Sequence, residues 1–188
     1  LYNNTLIKRA GDQNNYQDIA SNTGLIQGGT GEATITTTHD LNNFGGQSNA
    51  QGGDVNVTST EGNINIRSLV LEKKETHTSV SGDLFNHSEH IDIKTKQTAL
   101  SGGISATKAS DGTGGNITLS GQTGINLTGA AIKGDADVTL LSEKGSVNDR
   151  ALYLTDTSFS KDSSTSFGAN ITPNSFNFSY GTDTKTKD

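Results

Sequence analysis

The sequence lacks cysteine, methionine and tryptophan, and it contains a single proline. The absence of cysteine excludes a disulfide framework and a thiolate metal site. The absence of methionine leaves the chain without a translation start of its own, so we expect a fragment or a processed product of a longer polypeptide. No apolar run is long enough to span a membrane as a helix.

Positive charge is also scarce. Lysine and arginine total 14 against 20 aspartates and glutamates, which gives a net charge of −6. The three arginines are isolated and no basic stripe is present, so nucleic acid is not an expected partner. A cysteine-free chain rich in threonine, asparagine and glycine suits a bacterial protein that crosses the cell envelope.

Apolar residues make up only 29% of the chain, whereas glycine, serine, threonine and asparagine account for 87 of its 188 residues. This composition by itself favours disorder. The apolar residues are not scattered, however, because they occur in pairs at positions i and i+2 with a small polar residue between them. Such alternation indicates short β-strands with one buried face, from which a repeat protein builds a narrow core.

One short phrase recurs: a glycine-rich turn, a small polar residue, and then apolar–polar–apolar. It occurs at 52–58, 62–66, 114–120, 123–128 and 135–140. Helical apolar stripes of useful length are absent, so we predict a chain of strands and turns. Four short polar side chains precede strands and are expected, at equivalent positions, to bond the backbone of the turn. They are Asp54, Asn63, Asn116 and Asp137.

The apolar pairs repeat every 20–22 residues. The spacing is 21 for Ile117 to Val138 and Leu119 to Leu140, 22 for Ile125 to Val147, Leu69 to Ile91 and Leu71 to Ile93, and 20 for Ile35 to Val55. This period predicts one rung of a parallel β-helix, whose successive rungs stack their inward side chains. The predicted fold is therefore all-β, a right-handed parallel β-helix (solenoid) with extrahelical hairpin excursions.

Three stretches interrupt the period. Residues 1–30 are predicted to be an irregular N-terminal segment or poorly phased rungs. Residues 31–157 are predicted to form the β-helix rungs, with an excursion at 72–112 that leaves the helix as a hairpin or loop. Residues 158–188 are predicted to form a Ser/Thr-rich aromatic hairpin or cap with a polar tail.

The chain resembles the haemagglutinin-repeat region of bacterial two-partner-secretion exoproteins, the family of filamentous haemagglutinin and the contact-dependent growth inhibition exoproteins. The resemblance rests on the phrase at Gly52–Thr58 with its echoes, on the excursion at Leu71–Ser88, and on the Ser-rich, aromatic-bearing run at Thr155–Asn170. It covers about residues 30–180. It implies a rod that is secreted or held on the outer cell surface of a bacterium.

The resemblance further implies a rigid, non-catalytic stalk for contact-dependent toxin delivery and target-cell engagement. The implied partners are an outer-membrane transporter during secretion, a receptor or the outer membrane of a target or host cell, and flanking repeats of the same parent chain. One alternative is the shaft of a filamentous adhesin that binds host surfaces. Another is a β-helix enzyme that processes polysaccharides. This alternative is disfavoured because no carboxylates recur at the 20–22-residue spacing to form a cluster with Arg67 or Arg150.

Two clusters of possible ligands are present. His87, Glu89 and His90 lie near Asp83 and Asp92, but strand alternation separates the two histidines, so a solvated loop is favoured over a metal site. The run 111–116 resembles a calcium-binding turn that occurs only once, and a simple turn is favoured. We therefore assign no catalytic, cofactor-binding or metal-binding residue and expect no cofactor.

The aromatic residues of the C-terminal segment are the candidate interaction residues. They are Phe167, Phe176, Phe178 and Tyr180. The alternation at 176–180 and the sequence Thr172-Pro173-Asn174 predict two strands joined by a turn. The favoured interpretation is a hairpin that packs its aromatic rings onto the last rung as a cap. The alternative is an outward aromatic face that meets a partner or a membrane interface.

Overall fold

The computed structural model describes residues 1–83, 85–172 and 175–188, with side chains described outside 170–178. Within these residues the protein is all-β, as predicted, with eighteen strands and no helix. The strands are β1 (Leu6–Gly11), β2 (Tyr16–Asn22), β3 (Leu25–Gly28), β4 (Ala33–Thr37), β5 (Leu41–Phe44), β6 (Gln47–Gln51), β7 (Val55–Ser59), β8 (Asn63–Arg67), β9 (Leu69–Gly82), β10 (Asn86–Leu100), β11 (Gly103–Thr107), β12 (Ile117–Gly121), β13 (Gly124–Thr128), β14 (Ala131–Gly134), β15 (Val138–Ser142), β16 (Val147–Arg150), β17 (Thr157–Thr172) and β18 (Ser175–Lys187).

Twelve of the strands form four groups of three, which we call triplets: β3–β5, β6–β8, β11–β13 and β14–β16. Each of three four-stranded parallel sheets takes one strand from every triplet. The strand orders are β14-β11-β6-β3, β15-β12-β7-β4 and β16-β13-β8-β5. Successive triplets therefore pair in parallel along all three of their strands.

The strand register confirms three of the six predicted spacings. Ile117 pairs with Val138 and Leu119 with Leu140, at the predicted separation of 21 residues. Ile125 pairs with Val147 at the predicted separation of 22. The recurring phrase therefore marks positions that lie side by side in neighbouring triplets.

The other three predicted spacings, Ile35 to Val55, Leu69 to Ile91 and Leu71 to Ile93, are wrong. Ile35 pairs with Val57, because Ala33 occupies the position opposite Val55. Alanine was not counted as an apolar partner, so the predicted register slipped by two residues, a shift that keeps every side chain on its own face. In addition, Ile91 and Ile93 do not belong to a triplet. They pair antiparallel with Lys161 and Phe159, because alternation looks the same in either kind of strand.

The core consists of apolar side chains from the triplets. The buried ones are Ala33, Ile35, Leu41, Ala50, Val55, Val57, Ile64, Ile66, Ile104, Ala106, Ile117, Leu119, Ile125 and Leu127. Burying one Val, Leu or Ile side chain fully contributes about 1.5–3 kcal/mol. Among the described side chains, no buried polar atom lacks a hydrogen-bond partner. The Asn43 amide, for example, donates to the Gly103 carbonyl oxygen at 3.2 Å.

The chain divides into two compact units. The first contains Leu1–Lys8, Asp18–Leu71 and Thr98–Leu154, and therefore all four triplets. The predicted excursion at 72–112 is too long, because its last residues belong to the first unit. β11 lies in this part and pairs with β6 and β14. The sequence pattern did not indicate β11, because Ile104 is its only large apolar residue and the small Ala106 is its second buried apolar residue. The first triplet begins at Leu25, inside the segment 1–30 that was predicted as an irregular N-terminal segment or poorly phased rungs.

The second unit contains Arg9–Gln17, Glu72–Gln97 and Thr155–Asp188. Its strand residues belong to a six-stranded sheet with the order β1-β2-β9-β10-β17-β18. The pairs β2/β9, β10/β17 and β17/β18 are antiparallel. The segment predicted as a hairpin at 158–188 is occupied by β17 and β18, and the predicted turn residues Pro173 and Asn174 lie outside the described residues.

Candidate interaction surface

A tight turn between β9 and β10 is organised by one carboxylate. The Asp83 backbone N–H donates to the Asn86 carbonyl oxygen at 2.7 Å. The Asp83 Oδ1 atom accepts hydrogen bonds from the backbone N–H groups of Phe85 at 2.9 Å and Asn86 at 2.8 Å. These two donors lower the pKa of the Asp83 carboxyl group. The turn thereby fixes the backbone of Phe85.

The same local motif, Gly-Asp-x-x-Asn, organises the turn between β1 and β2. Asp12 Oδ1 accepts from the N–H groups of Asn14 and Asn15, both at 2.8 Å, and these bonds lower the pKa of Asp12. The preceding glycine of each motif has a positive φ, +113° at Gly11 and +139° at Gly82. The repeat of this motif is a sequence signal for both hairpins that the predictions did not use.

The Asp83 turn places the Phe85 ring against an aromatic residue of β17. The ring centroids of Phe85 and Phe167 are 6.1 Å apart with an interplanar angle of 21°, a stacked arrangement. The Phe167 backbone N–H also donates to the Phe85 carbonyl oxygen at 2.8 Å. The sequence predictions omitted Phe85, because it lies in a polar stretch well before the aromatic segment.

A third exposed aromatic residue, Tyr180, lies in β18 beside Phe167 of β17. It lies directly opposite Phe167 in the antiparallel pair of β17 and β18. Residues directly opposite in such a pair present their side chains on the same face. Phe85, Phe167 and Tyr180, which we call the aromatic cluster, are 54%, 36% and 72% exposed. The three exposed rings present a large apolar area and Tyr180 adds a hydroxyl group, a combination typical of interaction sites.

Two of the predicted interaction residues cannot be assigned to this cluster by their contacts. The backbone of Phe176 pairs with Ile171, and that of Phe178 pairs with Ala169. The side chains of both phenylalanines lie outside the described residues. Of the four predicted residues, the structure therefore places Phe167 and Tyr180 opposite each other.

The predicted ligand cluster at 87–92 lies in β10 and not in a loop. His87 pairs with Thr165, whereas His90 pairs with Asp162. The His90 Nδ1 atom is 2.6 Å from Asp162 Oδ1, on an open polar face of the sheet. Over residues 1–83, 85–172 and 175–188, no group of three histidine, aspartate or glutamate side chains is placed to hold a metal ion.

The run at 111–116 forms a turn around Asp111. Its Oδ1 atom accepts from the Thr113 hydroxyl at 2.6 Å and the Thr113 backbone N–H at 2.9 Å. The hydroxyl contributes most to lowering the pKa of Asp111. Both contacts are local, so they account for the carboxylate position without a ligand.

Polar side chains connect the triplets of the first unit. Asp54 Oδ1 accepts from the backbone N–H of Asn116 at 2.8 Å, and Asn116 Oδ1 accepts from the N–H of Asp137 at 3.2 Å. Each side chain therefore bonds the next triplet and not its own turn. Asn63 is not equivalent to these residues, because it lies at the following corner and donates to Asp40.

An asparagine ladder runs along the outer face of one parallel sheet. Its members are Asn42, Asn65, Asn126 and Asn148, one from each triplet. Successive amides are joined by Nδ2-to-Oδ1 hydrogen bonds of 3.0, 2.9 and 3.0 Å. The recurring polar residue between two inward positions was the signal for this ladder, although the sequence predictions treated it only as a spacer.

No helix in the described part of the chain is long and apolar enough to cross a membrane. Comparison with protein-family models, with curated proteins and with solved structures finds no match for this chain.

Proposed function

We propose that this chain is a non-catalytic repeat segment of a secreted bacterial surface exoprotein. In this proposal it is a rigid stalk that serves contact-dependent toxin delivery and engages the target cell. The proposed family is the haemagglutinin-repeat exoproteins of two-partner secretion. This chain resembles that family in the recurring phrase, the excursion and the Ser-rich aromatic run.

The stack of four triplets is the observation that carries the stalk proposal. Each triplet pairs with the next along three parallel sheets, so the backbone hydrogen bonds and the apolar core both repeat along one direction. We propose that the triplets are rungs of a right-handed parallel β-helix. Right-handed crossover between parallel strands is strongly preferred, because strands twist to the right. An experimental structure tests the handedness.

Target engagement is assigned to the aromatic cluster of the second unit. Tyr180 and Phe85 are more than half exposed, which favours the interaction interpretation of the aromatic segment over the cap. Two apolar phenylalanine rings beside a tyrosine ring that carries a hydroxyl group suit the boundary between water and an apolar surface. The proposed partner is therefore the outer membrane of a neighbouring bacterium or a receptor held in it.

The test compares binding of the whole chain to outer-membrane vesicles for the wild type and the double variant Phe167→Ser/Tyr180→Ser. The expected result is a loss of vesicle binding of about tenfold or more, with the circular dichroism spectrum unchanged. The matched control is Tyr153→Ser, which removes an aromatic residue of the first unit that is 86% exposed. The control is expected to bind as the wild type does.

The other outcomes separate the alternatives. Binding to cultured epithelial cells but not to vesicles would favour the adhesin shaft. Cleavage of a polysaccharide by the chain would overturn the non-catalytic assignment. Equal loss of binding in the control and the double variant would remove the aromatic cluster from the proposal while leaving the stalk.

A further inference from the structure

The sheet of the second unit ends at a long strand. β18 is last in the order of the six strands, and no described strand pairs with its outer edge. The run 182–187 alternates threonine with charged residues and contains neither proline nor glycine. A regular edge strand of this kind presents unpaired backbone N–H and C=O groups that favour pairing with another chain.

We propose that the outer edge of β18 pairs antiparallel with β18 of a second copy of this chain. The two copies form a twofold dimer centred on Thr184. In such a pairing the twofold axis passes between the two copies of one residue, so that this residue faces its own copy. Residues equally distant on either side of the centre then face each other, with their side chains on the same face of the joined sheet.

The charges of β18 select the register. With Thr184 at the centre, Asp183 of each copy lies opposite Lys185 of the other. This gives two opposite-charge pairs related by symmetry. Directly opposed charges of opposite sign stabilise a strand pair, whereas like charges destabilise it. On the other face, Thr182 lies opposite Thr186, a favourable pair of hydroxyl residues.

Three of the four neighbouring registers bring like charges together. A centre at Asp183 opposes two aspartates. A centre at Lys185 opposes two lysines, although it also places Asp183 opposite Lys187 twice. A centre at Thr186 places Lys185 opposite Lys187 twice. A centre at Thr182 opposes no charged pair, because Asp183 then faces Gly181. Of these five registers, only the one centred on Thr184 combines opposite charges with no like-charge pair.

Both charged side chains are accessible to a second copy. The Lys185 and Asp183 side chains are 79% and 67% exposed, and within one chain Nζ and Oδ2 are 3.9 Å apart. Lysine on an edge strand normally discourages pairing with another strand. Here the aspartate two residues before it makes the same edge complementary to itself.

The first experiment measures the dimer dissociation constant of the 188-residue chain by sedimentation velocity over a concentration series. Lys185→Asp and Asp183→Lys are each expected to raise it about tenfold, because each opposes like charges at two places. The charge-exchanged double variant Asp183→Lys/Lys185→Asp restores both pairs, and its dissociation constant is expected to return towards the wild-type value. Lys144→Asp is the control, since it makes the same charge change in a turn of the first unit.

The second experiment tests the register. Thr184→Cys places two thiols at the twofold axis, where opposite Cα atoms of an antiparallel pair lie within disulfide distance. Because the chain has no cysteine, oxidised glutathione is expected to convert this variant into a covalent dimer. Thr182→Cys is the matched control, and it is expected to remain uncrosslinked because it faces Thr186.

Several results would overturn the proposal. These are a chain that stays monomeric at every concentration, a dimer that charge reversal at 183 and 185 does not weaken, and an open-ended polymer. Equal cross-linking of the two cysteine variants would also overturn it.

Discussion

The two units of this protein stabilise their β-strands in different ways. In the first unit, apolar side chains such as Ile64, Leu119 and Ile125 are fully buried between parallel sheets. In the second unit, none of the described side chains is buried, and the antiparallel strands carry serine, threonine and charged residues. The first unit therefore depends on side-chain burial, whereas the second depends on backbone hydrogen bonds, cross-strand pairs and turn geometry.

This difference shows how one chain with few apolar residues supports two kinds of sheet. Parallel triplets concentrate the apolar residues in one strip, so each additional triplet buries its strip against the previous one. Long antiparallel hairpins bury less, and their pairing is set by turns and by the residues directly opposite each other. Interaction sites suit the second unit, because its side chains remain accessible.

The largest expected effect comes from truncating the core of the first unit. Ile64→Ala leaves a cavity and is expected to lower the free energy of unfolding of that unit by about 2–5 kcal/mol. Val80→Ala, at an exposed position of β9 in the second unit, is expected to change stability by no more than about 0.5 kcal/mol. Urea unfolding followed by circular dichroism measures both. Similar losses for the two variants would contradict the comparison.

A smaller effect is expected from the glycine of the Asp83 turn. Gly82 has a φ of +139°, and a Cβ atom there would collide with the Asn86 carbonyl oxygen. Gly82→Ala is therefore expected to destabilise the β9–β10 hairpin by more than about 1 kcal/mol. Hydrogen exchange should then accelerate in β9 and β10 but not in the triplets.

The matched control for this glycine is Gly29→Ala. No atom beyond Gly29 and its two chain neighbours lies within 4 Å of the Cβ position there, and the φ of Gly29 is not in the positive region. Exchange rates of the control should match those of the wild type. Faster exchange throughout the chain in Gly82→Ala would show that the two units do not respond separately.

The smallest effect is a local response of the Asp83 turn to acid. The Asp83 pKa is lowered from its ordinary value of 3.8 by the N–H groups of Phe85 and Asn86. The carboxylate therefore stabilises the turn above pH 3.8, and this contribution is lost as the pH falls through the lowered pKa. The amide signals of Phe85 and Asn86 in a ¹H–¹⁵N spectrum should shift together over that range.

Asp83→Asn provides the reference for the acid response. The variant removes the titrating group, so the two amide signals should no longer shift together with pH. A response that persists in the variant would assign the titration to another group and not to Asp83.

The sequence predicted the structure best where the local alternation of apolar and polar residues was strongest. The spacing of Ile117 and Ile125 from their partners was correct because β-branched residues alternate with small polar ones there. β11 was missed because Ala106 fills its inward position with a methyl group. Phe85 was missed because its stacking on Phe167 joins residues that are distant in sequence.

The sequence alone determined that the chain forms strands, where most inward residues fall, and which residues recur at the period of the triplets. Those properties depend on alternation and on glycine-rich turns, which act over a few residues. The tertiary structure decided that β9 and β10 pair antiparallel with the distant strands β2 and β17, and that Phe85, Phe167 and Tyr180 lie on one surface. Strand pairing over long separations has no local signature, because the same alternation serves parallel and antiparallel partners alike.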